Sequence, residues 1–85
     1  MARYFFDLTD DDGLVADDEG MELAGIEAVH EEAARTLGDI AREEVRKVGG
    51  QPRRSFEVVI DVRDEKGAVL KVTTTIKLAR SRQVN

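Results

Sequence analysis

The apolar positions of one long segment, residues 25–48, recur at the spacing of an α-helix. At about 100° per residue they form a narrow stripe, whose members are Ile26, Val29, Ala33, Leu37 and Ile40. The opposite face is polar, so the segment predicts one amphipathic helix of roughly six turns. Gly25 is the expected N-cap, and Gly49, Gly50 and Pro52 are expected to end the helix. Because a single helix cannot bury its own stripe, the flanking segments must supply the opposing surface.

The segment before the helix is typical of a β-hairpin. Residues 3–8 are rich in strand formers, and residues 9–13, TDDDG, are typical of a turn. Residues 14–16 then return as a short second strand. Residues 17–24 show no period, and we expect them to be an irregular approach to the helix.

A second hairpin follows the helix. Residues 55–63 and 68–78 alternate between apolar and polar side chains, with DEKG as the turn between them. Two hairpins around one helix predict an α+β fold of the form ββαββ, in which a four-stranded antiparallel sheet carries one long helix on one face. The predicted domain spans residues 1–78, and residues 79–85 are expected to be a frayed tail.

The sheet face away from the helix is not wholly polar in this prediction. Scattered apolar residues on a surface are ordinary, whereas apolar residues gathered into a patch mark a partner surface. A one-layer sheet with a single helix would gain core if that face were covered. We therefore expect a homodimer through the open sheet face or a sheet edge, with the interface candidates Phe5, Val15, Val59, Val69, Thr73 and Thr75.

Charge is divided unevenly along this chain of 85 residues, whose net charge is −5. Residues 1–20 carry seven acidic side chains against Arg3, whereas residues 46–85 carry ten basic side chains against four acidic ones. One explanation is that both sets of charges are solvated and contribute to solubility. The alternative is that the acidic loop of one copy faces the basic end of another. The overall acidity disfavours nucleic acid as a partner.

Cysteine is absent, so disulfides and thiolate chemistry are excluded, which fits a reducing compartment. No apolar run approaches 18 residues, and the first residues lack the pattern of a signal peptide. We expect a cytoplasmic protein with no membrane partner.

Two acidic stretches suggest calcium, but neither has the spacing of an EF-hand loop. That loop needs an aspartate five residues before its glycine, and counting back from Gly13 and Gly20 finds Leu8 and Val15. A looser cation site stays open as an alternative, and with it a metal-assisted enzyme that uses Asp10, Asp12 and Asp17. The side chains concerned are Asp10, Asp11, Asp12, Asp17, Asp18 and Glu19.

The residues required for catalysis are sparse. His30 is the one histidine, and its position beside the apolar stripe is typical of a partly buried structural histidine. With serines only at Ser55 and Ser81, no nucleophile with a positioned base is indicated. Neither GxxxxGK[ST] nor GxGxxG occurs. We therefore predict no enzyme, no cofactor, no metal and no small-molecule substrate.

The succession YFFDL, DDDG, DDEGMEL, IEAVHEEAARTL and EVVIDVRDEKGAVLKVT resembles a family of short uncharacterised proteins of rhizobia and related alphaproteobacteria. The likeness covers nearly the whole chain, and its most specific parts are residues 4–6, 18–23 and 32–34. Gly25, where that family usually has an aspartate, and His30 depart from the pattern. The family is a domain of unknown function, so the resemblance implies no catalytic residue.

Residues 4–37 also resemble, more weakly, the start of HicB-type antitoxins, in which a hairpin with an Asp-Gly turn precedes an acidic loop and a helix. That resemblance implies a partial RNase H-like fold and a small RNA-cleaving toxin as the partner. The two long strands after the helix depart from the DNA-binding members. The leading hypothesis is a non-enzymatic binding or oligomerisation module that forms a homodimer, with an antitoxin-like regulator and an acidic-loop metal-binding protein as alternatives.

Overall fold

The structure is a computed structural model that describes residues 1–47 and 53–82. Its elements are β1 (Ala2–Asp10), β2 (Gly13–Val15), β3 (Met21–Leu23), α1 (Ile26–Lys47), β4 (Arg53–Asp64) and β5 (Gly67–Ala79). The prediction of an α+β fold with one long helix and an antiparallel sheet is confirmed. Gly25 is the N-cap, because its carbonyl oxygen accepts the first helical hydrogen bond from the Val29 N–H at 3.1 Å. The predicted stop signals Gly49, Gly50 and Pro52 lie outside the described residues.

Among the described residues, the sheet has five strands, and the prediction of four was incomplete. The main order is β2-β1-β4-β5, and β3 pairs with the first part of β1, where Tyr4 lies opposite Met21 and Ala2 opposite Leu23. β3 therefore falls in the stretch that was expected to be irregular. Three residues are too few to display a period of two, so the pairing comes from tertiary contact, with Leu23 packed against the core.

The core lies between α1 and the helix-facing side of the sheet. Val29 of α1 packs with Ile60 and Val62 of β4, and all three are almost wholly buried. The alternation predicted for β4 is confirmed, since the side chains with even numbers are the buried ones: Phe56, Val58, Ile60 and Val62. Ile26, predicted on the helix stripe, is 48% exposed.

A β-bulge interrupts the long hairpin near its turn. Val62 lies opposite Leu70, but Arg63 lies opposite Ala68, so Val69 is an extra residue on β5. Instead of lying on the outer face, Val69 packs against the core cluster. β5 ends at Ala79, and residues 80–82 follow without regular structure.

Candidate functional site

The outer face of the sheet, away from α1, carries a polar network that links three segments of the chain. Asp7 of β1 accepts hydrogen bonds from Arg63 of β4, from Nε to Oδ2 at 2.8 Å and from Nη2 to Oδ1 at 3.4 Å. Arg63 Nη2 also donates to the Asp17 carbonyl oxygen at 2.9 Å. The Asp17 N–H in turn donates to Asp7 Oδ1 at 2.9 Å. This Asp7–Arg63–Asp17 network fixes the loop between β2 and β3 onto the sheet.

The Asp17 carboxylate stands where a neighbouring strand would otherwise be. β2 and β3 pair with the two ends of β1 and leave its middle without a strand on that side. There, Asp17 Oδ2 accepts a hydrogen bond from the Phe6 N–H at 3.0 Å, while Oδ1 accepts from the Glu19 and Gly20 N–H groups at 3.1 and 3.0 Å. One side chain thus satisfies a strand donor and closes its own turn.

Phe5 is held beneath this network. The Arg63 guanidinium carbon lies 4.5 Å from the centre of the Phe5 ring, which is within cation–π range. On Gly20, an added Cβ would lie 2.8 Å from Phe5 Cε2 and 2.9 Å from Arg3 Cγ, and the residue has a φ of 74°. Only glycine meets both requirements without strain.

The charges of the network stabilise one another. The Arg63 guanidinium, which donates to Asp7, holds the pKa of that carboxyl below its ordinary value, and the Asp17 N–H acts in the same direction. The pKa of Asp17 is lowered by the hydrogen bonds from Gly20, Phe6 and Glu19. The bond to Asp7 raises the pKa of Arg63. Both carboxylates therefore stay ionised at neutral pH and act as acceptors.

The six interface candidates do not share one surface. Val59 lies on the outer face between Thr9 and Thr73, and Thr75 lies further along the same face of β5. The expectation that Val15 lies on that face is wrong, because it pairs with Leu8 and so projects toward the helix side. Val69 packs on the core instead of the outer face. Phe5 is partly covered by the Arg63 guanidinium.

The two edges of the sheet differ. On the β1 side, the three-residue strands β2 and β3 and the carboxylate of Asp17 occupy the edge. On the other side, β5 is 13 residues long and pairs only with β4 among the described strands. The sequence suggested a sheet edge as a possible interface but not which edge. The alternation of apolar and polar residues shows the two faces of a strand, but it does not show the order of the strands in the sheet.

An apolar groove of about 310 Å³ runs beside the β5 edge, between that strand and the helix. Its walls are His30, Ala33, Ala34, Leu37, Leu70 and Val72. Ala34 is exposed, and further along the helix Val45 is 50% exposed. His30, expected to be partly buried, is instead exposed at the groove's rim.

The acidic turns show local hydrogen bonding. Asp10 Oδ1 accepts from the Asp12 N–H at 2.8 Å, and the Asp17 carboxylate is engaged as described above. Within residues 1–47 and 53–82, no three His, Asp or Glu side chains are grouped so that they could hold a metal ion. None of the described helices has the length and apolar character needed to cross a membrane.

The fold and the two edges define a small α+β protein in which one helix covers one face of an antiparallel sheet. Residues 3–76 match the family described as domain of unknown function (DUF6894), and the chain belongs to that family. No curated protein and no solved structure matches the chain. The expectation of a family of unknown function is confirmed, while its bacterial origin and the likeness to HicB-type antitoxins stay predictions.

Proposed function

We propose that this protein is a non-enzymatic interaction module that forms a homodimer through the free edge of β5. The observation that carries the proposal is the contrast between the two edges. Proteins generally blunt the unpaired strands of a sheet with short strands, loops or inward charges. Here the β1 side is blunted in that way, whereas β5, beyond the bulge at Val69, retains backbone donors and acceptors along residues 70–79 on the side away from β4.

The apolar groove supports the same edge. In strand pairing, hydrogen bonds between backbone groups fix the direction of the added strand. Apolar side chains next to the edge stabilise the contact when they are buried by it. Leu70 and Val72 of the strand and Leu37 of the helix line the groove without filling it. A second copy against this edge would cover them, and its own groove would be covered by the same contact.

The β5 edge is long enough for extended strand pairing. At about 3.4 Å per residue, 13 residues span roughly 44 Å. The outer face offers less apolar surface, because Val59 lies between Thr9 and Thr73 and the next row on that face consists of the charged Asp7, Asp61 and Lys71.

The two carboxyl groups whose pKa is lowered, those of Asp7 and Asp17, support a non-enzymatic role. Catalytic carboxyls commonly have a pKa raised toward neutrality by burial, whereas those of Asp7 and Asp17 are lowered by hydrogen bonds that hold the loop. Their acceptor oxygens are engaged with backbone N–H groups and Arg63. They are thus suited to holding a turn and not to transferring a proton.

The test is the mass in solution, by light scattering behind size exclusion, at several concentrations and two salt levels. We expect a dimer that persists in high salt, because burial of apolar groups is not screened. Ala34→Arg places a long cation in the groove from an exposed position, and we expect it to give a folded monomer. Ala24→Arg is the matched control, since it makes the same change at an exposed alanine after β3, near the opposite edge.

A wild-type monomer at all concentrations would overturn the proposal, as would a dimer unaffected by Ala34→Arg. A dimer that instead dissociates on Val59→Lys would place the contact on the outer face. An antitoxin-like regulator would use an open edge for a different, smaller protein, and a monomeric wild type would favour that alternative.

A further inference from the structure

A strap formed by residues 13–23 covers the edge of β1 that faces away from β4. It consists of β2, the loop that contains Asp17, and β3. We infer that this strap opens as one unit while α1 and the β1-β4-β5 part of the sheet stay folded. Its opening uncovers the edge of β1, so that edge is covered by a movable segment and not permanently closed.

The strap engages every second residue of β1. In an antiparallel sheet, the backbone groups of successive residues point alternately to the two neighbouring strands. The Phe6 N–H donates to Asp17, so the even-numbered residues of β1 face the strap and the odd-numbered ones face β4. Tyr4 pairs with β3, and Leu8 pairs with β2. The Asp17 carboxylate therefore supplies the hydrogen bond at Phe6, between the two short strands.

The strap buries little apolar surface. None of residues 13–23 is buried, whereas alternate side chains of β4 are buried. Leu23, at the end of β3, packs against the core. By contrast, Leu14 and Val15 are each 66% exposed, and Met21 is 40% exposed. Segments with few buried apolar contacts open at a lower free energy than the core of the same protein.

Polar contacts hold the strap in place. Arg63 Nη2 of β4 donates to the Asp17 carbonyl oxygen at 2.9 Å, and Arg3 Nη1 of β1 donates to the Glu19 carbonyl oxygen at 2.8 Å. Arg3 also forms an ion pair with Glu22 of β3 at 3.2 Å. Water can replace each of these partners when the strap leaves, so the contacts limit how often it opens without linking its opening to loss of the core.

β1 keeps its other contacts when the strap opens. Residues 5–9 pair with β4 on the opposite side of the strand. The side chains of Tyr4, Phe6 and Leu8 pack against the core cluster under the helix. Opening removes the packing of Leu23 but leaves both of these contacts in place. The opened protein therefore keeps its core and exposes the backbone groups of the even-numbered residues of β1.

Native-state hydrogen exchange of the full chain, measured by NMR at low urea concentrations, tests the opening. We expect the amides of Tyr4, Phe6 and Leu8 to exchange about tenfold or more faster than global unfolding allows. Their exchange should depend only weakly on urea, because opening the strap exposes little surface. The amides of Phe5 and Asp7 face β4, and we expect them to exchange only through global unfolding.

A disulfide lock is the matched control, since the chain has no cysteine of its own. Arg3 lies opposite Glu22 in a pair whose backbone groups point away from each other, and in such pairs the Cα atoms are about 4.5 Å apart, within the reach of a disulfide. The Arg3→Cys/Glu22→Cys protein should lose the fast exchange of Tyr4, Phe6 and Leu8 when it is oxidised and regain it when it is reduced. Oxidised and reduced samples share the same lost ion pair, so the comparison isolates the lock.

Equal protection of even-numbered and odd-numbered amides, with the same dependence on urea, would overturn the inference, because strap and core would then open together. Fast exchange that persists in the oxidised protein would also overturn it. A lock at β3 that slows Tyr4 but leaves Leu8 unchanged would show that the two ends open separately, which contradicts opening as one unit. These outcomes are the same for a monomer and for a dimer through β5, because the strap lies at the opposite edge of the sheet.

Discussion

Replacing Asp17 tests whether the loop between β2 and β3 is a structural device. Asp17→Ala removes the acceptor for the N–H groups of Phe6, Glu19 and Gly20. The Phe6 and Gly20 bonds lie in part-buried surroundings, whereas the Glu19 N–H is exposed and can turn to water. The loss should therefore come mainly from two hydrogen bonds to a charged group.

Hydrogen bonds to charged groups contribute about 1.5–3 kcal/mol each, and neighbouring bonds are not additive. We expect Asp17→Ala to lower the free energy of unfolding by about 2–4 kcal/mol, which corresponds to a fall in Tm of roughly 10–25 °C for a domain of this size. Asp17→Asn keeps one oxygen acceptor but loses the charge and turns an amide donor toward one of the N–H groups. We expect it to be intermediate.

The measurement is urea and thermal unfolding followed by circular dichroism, at one fixed protein concentration because association would add to stability. Asp18→Ala is the matched control, since Asp18 is the exposed neighbour of the same charge, and we expect its effect to lie within about 0.5 kcal/mol. An Asp17→Ala protein as stable as the Asp18→Ala protein would refute the reasoning. Equal stability would show that water can replace the Asp17 carboxylate as the hydrogen-bond acceptor without lowering the free energy of unfolding.

Two further predictions concern the network and the helix. Since the pKa values of Asp7 and Asp17 are lowered in the folded state, their stabilisation is present in full above the unfolded-state pKa of about 3.9 and is lost as the pH falls through their folded values. Urea midpoints between pH 2 and 6 should show that loss, and Asp17→Asn should flatten it. Gly38→Ala should raise the free energy of unfolding by about 1 kcal/mol, because Gly38 is exposed within α1 and an added Cβ would meet nothing within 4 Å beyond the local helix backbone. A loss of stability measured by the same unfolding would indicate that another chain approaches there.

Long periodic segments carried the predictions that are confirmed. The helix was expected over residues 25–48, and its described part begins at Ile26. β4 alternates over enough residues to orient Phe56 and Ile60 toward the helix. In such long segments, each further helical turn or pair of strand residues repeats the same apolar period, so a single exception does not change the predicted element.

The predictions that failed depend on contacts between distant segments. Val69 turned toward the core because a bulge inserts one residue into β5, and alternation cannot reveal a bulge in the absence of its partner strand. Val15 changed face because the register with Leu8 set its direction. The role of Asp17 was missed because the sequence has six acidic residues of similar appearance in this region. A signal was present, since an aspartate that accepts hydrogen bonds from the N–H groups two and three residues later is typical of an Asx turn.

The arrangement of blocked and open edges limits how this protein can assemble. Asp17 blocks pairing in the plane of the sheet, because its carboxylate takes the N–H that a neighbouring strand would need. Lys71 and Lys77 of β5 project from the outer face, out of that plane, and leave the backbone of the edge accessible. If β5 pairs with its own copy, the edge strands left among the described residues are β2 and β3, which are three residues long. Such short edges are poor templates for further pairing, so we expect growth to stop at two. The same polar loop that holds Phe5 and Arg63 in place would thus restrict association to a closed dimer and prevent an extended fibre.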